Sequence, residues 1–484
     1  MNDQISKLTP QSLWHHFYQL TQIPRPSHHE AAVQAHVMQL GERLGLQTIR
    51  DDNDNILIRK PATPGMEGAP GVILQGHLDM VPQANADTSH DFTRDPIRVK
   101  VESDWVKAEG TTLGADNGIG VAAALAVLES RQIKHGPLEA LFTSNEEDGM
   151  TGAFGIQPDL LQGRILLNMD SEDEGVLCIG CAGGANANIT LDYTPETLAP
   201  GMMGYTLSVR GLKGGHSGVD IHRGRGNANK LLFRMLAGSA EQFNLKLCRV
   251  TGGNMRNAIP REAVAIVAVA GSDANAFRQY INESGRLIKA EMADAEPELA
   301  IELSPDDTAN SSLPEKRQLA LLDCLTVMPH GVIRMSDAMP GLVETSTNLA
   351  IVRVADGLIE IKSLLRSSVD SARDELTAVH QSLARLLGAK AVIDGIYPGW
   401  KPNMESPLLK TMCRTYQEIF DASAEIGAIH AGLECGIIGG KYRKLDMISF
   451  GPTIRYPHSP DECMHIPSVQ RFWDLLVATL SRLD

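Results

Sequence analysis

The sequence predicts an α/β protein: a mixed, largely parallel sheet flanked by helices, built from both ends of the chain, with an α+β domain inserted between them. Three observations predict it. Up to about residue 170, short apolar runs bounded by turn residues alternate with stretches of helical periodicity, as in strands joined by helices. In the middle of the chain, as at Tyr205, Leu207 and Val209, apolar and polar residues alternate one by one, the pattern of a sheet with one wet face. After Tyr397-Pro398-Gly399-Trp400-Lys401-Pro402 the first character returns, and an insertion is the economical reading.

Taken in order, Leu13, Phe17 and Leu20, then Val33, Val37, Leu40 and Leu44, recur at helical spacing around a Pro-Arg-Pro-Ser break at 24–27, so two helices are expected over 10–46. Strands are expected at 55–59, 72–75, 138–143 and 165–169, with a helix at 118–129. The stretch 192–204 reads as a connector. Beyond it come helices at 227–243 and 371–387, and a hairpin of 348–354 and 358–363 around Ala355-Asp356-Gly357. The last part gives a helix at 406–420, a strand at 446–450 and a helix at 468–483. The expected domains are therefore 1–195 and 397–484, forming one split α/β domain, and 196–396, forming a second, inserted domain.

A chain of 484 residues is too long for a single small module. Its 44 Lys+Arg against 59 Asp+Glu leave a net charge of −15, which argues against a duplex nucleic-acid binder, because such a protein needs a cationic surface to displace counterions. No apolar run approaches the ~18 residues of a membrane span. The N-terminus has no basic segment leading into an apolar one, so no export signal is expected. Seven scattered cysteines, an odd number, fit reduced thiols in a cytoplasm. Cys178 and Cys181 form a lone CxxC, which without a second pair reads as structural.

Chemistry concentrates where a histidine or carboxylate ends an apolar strand, the edge at which open α/β sheets collect ligands. In VILQGHLDMV the strand delivers His77 and, two residues on, Asp79, whose carboxylate could lock the imidazole as a metal ligand. In TTLGADNGIGVAAAL, Asp116 opens an apolar helix and reads either as its N-cap or as a ligand. The adjacent Glu146 and Glu147 in LFTSNEEDG are either solvated surface or a ligand beside a free base. Asp170 ends the run RILLNMD, and His458 stands in the Pro-bounded loop of GPTIRYPHSPDECMHI, with His465 behind it. Two imidazoles and several carboxylates at the strand ends of one domain suit a pair of Zn²⁺ ions sharing a bridging carboxylate. The glycine runs do not follow strands as nucleotide-binding loops do.

The motifs HLDM, GADNG, TSNEEDG, NMDSEDEG, GLKGGHSG, RNAIPRE and PHSPDE, in this order and spacing, closely resemble those of the aminoacyl-histidine dipeptidases (Xaa-His dipeptidase, peptidase D), within the two-zinc clan of aminoacylases, carnosinases and glutamate carboxypeptidases. The resemblance runs from end to end. It implies two Zn²⁺ per subunit, replaceable by Co²⁺ or Mn²⁺, with Asp116 bridging, His77 and Asp170 completing one site and Glu147 and His458 the other. Glu146 would be the general base and Asp79 the partner of His77, and the peptide bond after Asp116 would be cis. The split domain would be the catalytic one and the inserted domain its lid, in which His216 would stabilise the oxyanion and Asn257 and Arg366 would hold the substrate carboxylate, while Glu434 would contribute to the pocket. Asp at position 170 goes with dipeptidases and aminopeptidases, whereas carboxypeptidases and acylases tend to carry Glu.

The resemblance thus implies hydrolysis of unblocked dipeptides, Xaa-His above all, in a cytoplasmic homodimer whose lid closes over the substrate. Two rivals are an N-acyl amino-acid deacylase or carboxypeptidase on the same framework, and a non-catalytic metal-binding protein that kept the fold.

Overall fold

The structure is a computed structural model describing residues 4–483. The chain divides into two units. The first comprises the chain up to Gly180, Pro402–Ala428 and everything from Leu433 onward; the second comprises Cys181–Lys401 and Ile429–Gly432.

The first unit holds an eight-stranded mixed sheet. Its strands run, across the sheet, Gln47–Arg50, Ile56–Lys60, Leu138–Thr143, Val72–His77, Ile165–Asn168, Asp446–Ser449, Val176–Cys181 and Glu425–Ile429. The four from Leu138–Thr143 to Asp446–Ser449 are parallel to one another. Val72–His77 and Leu138–Thr143 are buried at every position, which is why neither alternates strictly between apolar and polar residues. The helix Ala115–Glu129 packs on Val72–His77 and on the helix Gln11–Thr21. Almost every residue of it is buried, as its run of Ala, Val and Leu requires. The chain therefore returns from its far end to insert Asp446–Ser449 beside Ile165–Asn168.

The second unit is built on a larger, antiparallel sheet. Its path is Ala300–Pro305, Met202–Arg210, Ala263–Ala270, Lys246–Gly252, Val343–Ala355, Leu358–Ser367, Gly183–Asp192 and Lys390–Tyr397, with Gly331–Met335 also pairing with Val343–Ala355. The helices Ala228–Phe243, Glu315–Val327 and Asp370–Leu387 contribute to one core with this sheet, centred on Leu232, Leu236, Val267, Leu321, Val352 and Ile361. The division between the units falls at Gly180, ahead of the change in sequence character at 192–204, because Gly183–Asp192 already pairs with Leu358–Ser367.

Candidate metal centre

Parallel strands bring the residues of this centre together at their carboxyl ends. Val72–His77 ends on His77; Leu138–Thr143 leads through Ser144 and Asn145 into Glu146 and Glu147; Ile165–Asn168 leads into Asp170; and the loop beyond Asp446–Ser449 carries His458. Asp116 stands in the first turn of Ala115–Glu129, but with the non-helical backbone angles φ −77° and ψ 112°, and the Asp116–Asn117 peptide is cis. The Asn117 side chain donates to the Met169 carbonyl at 2.6 Å.

Asp116 does not cap its helix; its carboxylate faces two imidazoles. Oδ1 lies 3.0 Å from His77 Nε2, and Oδ2 lies 3.2 Å from His458 Nε2. His77 Nε2 also lies 3.3 Å from Asp170 Oδ1, and His458 Nε2 lies 3.0 Å from Glu147 Oε2. Three overlapping groups result, each with ligand atoms close enough to share one ion: His77 with Asp116 and Asp170, Asp116 with Glu147 and His458, and His77 with Glu146 and Glu147.

The electrostatics call for positive charge. Burial alone would push the His77 imidazole towards neutrality, but Asp170 and Asp116 outweigh it and hold its pKa well above the usual value. Hydrogen bonding to Asp116 and Glu147 lifts His458 to about 11. Burial, with Asp116 and Glu147 adding to it, raises Asp170 to about 6. Glu147 Oε1 and Asp170 Oδ1 are buried without a hydrogen-bond partner. Carboxylate oxygens in that state, beside imidazole nitrogens, fit a divalent cation.

Asp79 ties two of these strand ends together. Its Oδ1 accepts from the Glu146 N–H at 2.9 Å, and its Oδ2 accepts from the Glu147 N–H at 3.1 Å and from the Ser27 hydroxyl at 2.8 Å. Its Oδ1 is also 3.3 Å from His77 Nδ1. Burial opposes ionisation, but His77 and these donors hold Asp79 at about 2. Glu146 behaves oppositely: burial, reinforced by Asp170, Glu434 and Glu147, raises it well above the ordinary carboxyl range.

Glu434, expected from the sequence to line the substrate pocket, has no solvent exposure. Its Oε2 accepts from Gln75 Nε2 at 2.6 Å and from the Thr143 hydroxyl at 2.7 Å. Asn168 Nδ2 donates to Gln75 Oε1 at 2.5 Å, so a buried polar belt crosses three parallel strands beneath His77, Glu146 and Asp170.

In the second unit, His216 Nδ1 accepts the N–H groups of Gly218 and Val219, both at 3.2 Å. With Nδ1 an acceptor and burial, aided by Arg366, lowering its pKa, the neutral ring carries its proton on Nε2. The Ser217 N–H donates to the Asn257 carbonyl at 2.8 Å, which ties the two glycine-rich and Asn-bearing loops together. Arg366 is buried, gives Nη1 to the Tyr397 hydroxyl at 3.1 Å and leaves Nε unpartnered. Nothing in the spacing of the sequence singles out Arg25 or Glu462, whose contacts with the Asp116 turn are described below. Arg25 stands in the Pro-Arg-Pro-Ser break and Glu462 closes the PHSPDE motif, but the sequence names a partner for neither.

A split α/β unit whose strand ends converge on a carboxylate shared by two imidazoles defines the class: a hydrolase of the metallopeptidase type. The chain belongs to peptidase family M20/M25/M40, whose family model matches residues 73–482. It is 47% identical over 480 residues to the cytosol non-specific dipeptidase of Escherichia coli (strain K12), covering 99% of both chains. It also resembles the crystal structure of the aminoacylhistidine dipeptidase from Vibrio alginolyticus, with TM-score 0.94 and 46% identity over 99% of this chain and 98% of that one. The aminopeptidase PepT from Bacillus cereus, 15% identical, shares the fold at TM-score 0.56 over 98% of this chain and 99% of its own.

Proposed function

We propose that this protein hydrolyses the peptide bond of unblocked dipeptides, preferring Xaa-His and accepting others, with two Zn²⁺ ions replaceable by Co²⁺ or Mn²⁺. The observation that carries the reading is the Asp116 carboxylate, turned with one oxygen to His77 and the other to His458. His77, Asp116 and Asp170 would hold one ion, and Asp116, Glu147 and His458 the other. When bound, such ions lower the pKa of water and polarise a carbonyl.

The chain's own groups do the rest. Glu146, buried and raised in pKa, takes the proton of the attacking water and returns it to the leaving amine. Asp79 fixes the His77 ring and the backbone of Glu146 and Glu147. His216, with its proton on Nε2, donates to the oxyanion. Arg366 and Asn257 bind the terminal carboxylate, for which a guanidinium fork is well suited. Glu434 acts through Gln75 and Thr143 rather than by touching substrate.

The names of the Escherichia coli and Vibrio alginolyticus relatives support dipeptides as substrates, and the word cytosol in the first supports a cytoplasmic setting. No described helix is long and apolar enough to cross a membrane. A homodimer is inferred from the family resemblance. The test is a panel of Gly-His, β-Ala-His, other dipeptides and an N-acetyl amino acid on metal-reconstituted protein. Release of histidine from the first two, abolished by chelator, is expected; turnover of the acetylated compound alone would replace this reading with a deacylase.

A further inference from the structure

Two buried charged side chains outside the reacting set grip the turn that carries Asp116. Four successive backbone N–H groups converge on Glu462: Oε2 accepts from Leu113 at 2.7 Å and Gly114 at 2.9 Å, and Oε1 accepts from Ala115 at 2.8 Å and Asp116 at 3.3 Å. These include N–H groups that a helix start leaves without intrahelical partners, so Glu462 fills the role that a cap would fill. The guanidinium of Arg25 takes the carbonyls: Nη1 donates to Leu78 at 2.8 Å and Asp79 at 2.9 Å, and Nη2 to Gly114 at 2.5 Å. Both side chains are 2% exposed.

Gly114 is held through both of its backbone polar groups, its N–H by Glu462 and its carbonyl by Arg25. Its φ is +68°, and a Cβ there would stand 2.7 Å from Arg25 Nη2 and 2.8 Å from Met80 Sδ. The two grips also reach other ligand segments. Leu78 and Asp79 directly follow His77, and Glu462 stands four residues after His458 in the same loop.

We propose that Arg25 and Glu462 are positioning residues that orient Asp116 towards both histidines before any cation arrives, and so set the affinity of both metal sites together. The inference rests on the two-metal reading above. A fixed bridging carboxylate spares the ions the cost of ordering it, and partners of this kind typically govern affinity or activity about 10–100-fold.

The test measures Zn²⁺ and Co²⁺ binding by chelator competition in the full chain, its Glu462→Gln variant and its Arg25→Lys variant. The first keeps size but turns an amide N–H towards backbone N–H groups; the second keeps charge but loses the fork. Weakening of both ions by about 10–100-fold is expected, with an altered visible spectrum of the cobalt form. Dipeptide kcat should fall while KM stays nearly constant, and excess cation should restore part of it, which a merely loosened fold would not allow. If Glu462→Gln does not fold, Arg25→Lys carries the test. Unchanged affinity and spectrum in the folded variants would overturn the proposal and leave the two-metal reading standing. Failure of the unsubstituted chain to bind either ion would overturn both.

Discussion

Gln75 donates to Glu434 across 2.6 Å inside a sheet where neither side chain meets solvent. The bond joins the helix Glu434–Lys441 to the strand that ends on His77. Replacing Glu434 with Leu would take the short acceptor from both donors, leaving Gln75 Nε2 only the Thr143 hydroxyl at 3.2 Å and that hydroxyl only the Gly76 carbonyl at 3.4 Å, at about 1–3 kcal/mol for a buried group left poorly paired. Glu434→Leu should therefore lower the urea midpoint clearly, whereas Glu434→Gln, which keeps an acceptor, should lower it less. Equal loss in the two variants would show that the belt does not depend on that oxygen.

Glu146→Gln removes the proposed proton acceptor and leaves the imidazoles and other carboxylates in place. Turnover should fall by about 10²–10⁴-fold, the usual span for losing a general base, while metal content measured by mass spectrometry stays nearly the same. Loss of metal and activity together would refute the assignment of Glu146 as base.

Asp79→Asn keeps the shape of the hub, but its amide presents a donor where two N–H groups and a hydroxyl now meet acceptors. Metal affinity or kcat should drop by about 10–100-fold. A variant with wild-type metal affinity and rate would show that backbone bonding at Glu146 and Glu147 is dispensable.

Arg366→Lys tests recognition of the substrate carboxylate. Lysine keeps the charge and loses the bidentate fork, so KM for dipeptides should rise with little change in kcat. The preference for dipeptides over their C-terminal amides should shrink. An undiminished preference would place carboxylate recognition elsewhere.

His430 sets an acid limit on the second unit. Burial, then Arg366, His216 and His222, lower its pKa to about 3, and it is bonded to the Ser346 hydroxyl at 2.7 Å. Its pKa in the folded chain lies below the unfolded value, so the unfolded chain binds the proton more readily. Stability is then complete above about pH 6.5 and is lost as pH falls from there towards 3, at up to ~1.4 kcal/mol per pH unit. His430→Gln should flatten that fall in melting temperature; an identical acid limb in the variant would assign it to other groups.

Much of this was legible in the chain. The strand at 138–143 is found as Leu138–Thr143, because burial on both faces leaves a mostly apolar run that admits only Glu139, paired with Arg59, and the terminal Thr143. The histidines and carboxylates stand out at strand ends for the same reason. The environment of Asp116 was not legible, since an Asp opening a helix reads equally as a cap; only the non-helical backbone at Asp116 and Asn117, with Glu462 taking the N–H groups, turns its oxygens to His77 and His458. The edge between the units escaped because Val176–Cys181 and Gly183–Asp192 are nearly contiguous strands assigned to different sheets. Arg25 escaped because its three carbonyl partners lie more than fifty residues away, at Leu78, Asp79 and Gly114.

The strand Asp446–Ser449 has a consequence for biosynthesis. The sheet it completes contains Ile165–Asn168, made far earlier on the ribosome, while the second unit lies almost wholly in the contiguous stretch between them. At ~5–20 residues per second, Ile165–Asn168 waits roughly 15–55 s for its neighbour. During that time the nascent chain carries an unpaired inner edge, and the cluster around Asp116 lacks His458. Any part of the sheet formed by then would expose that edge until Asp446–Ser449 has been made.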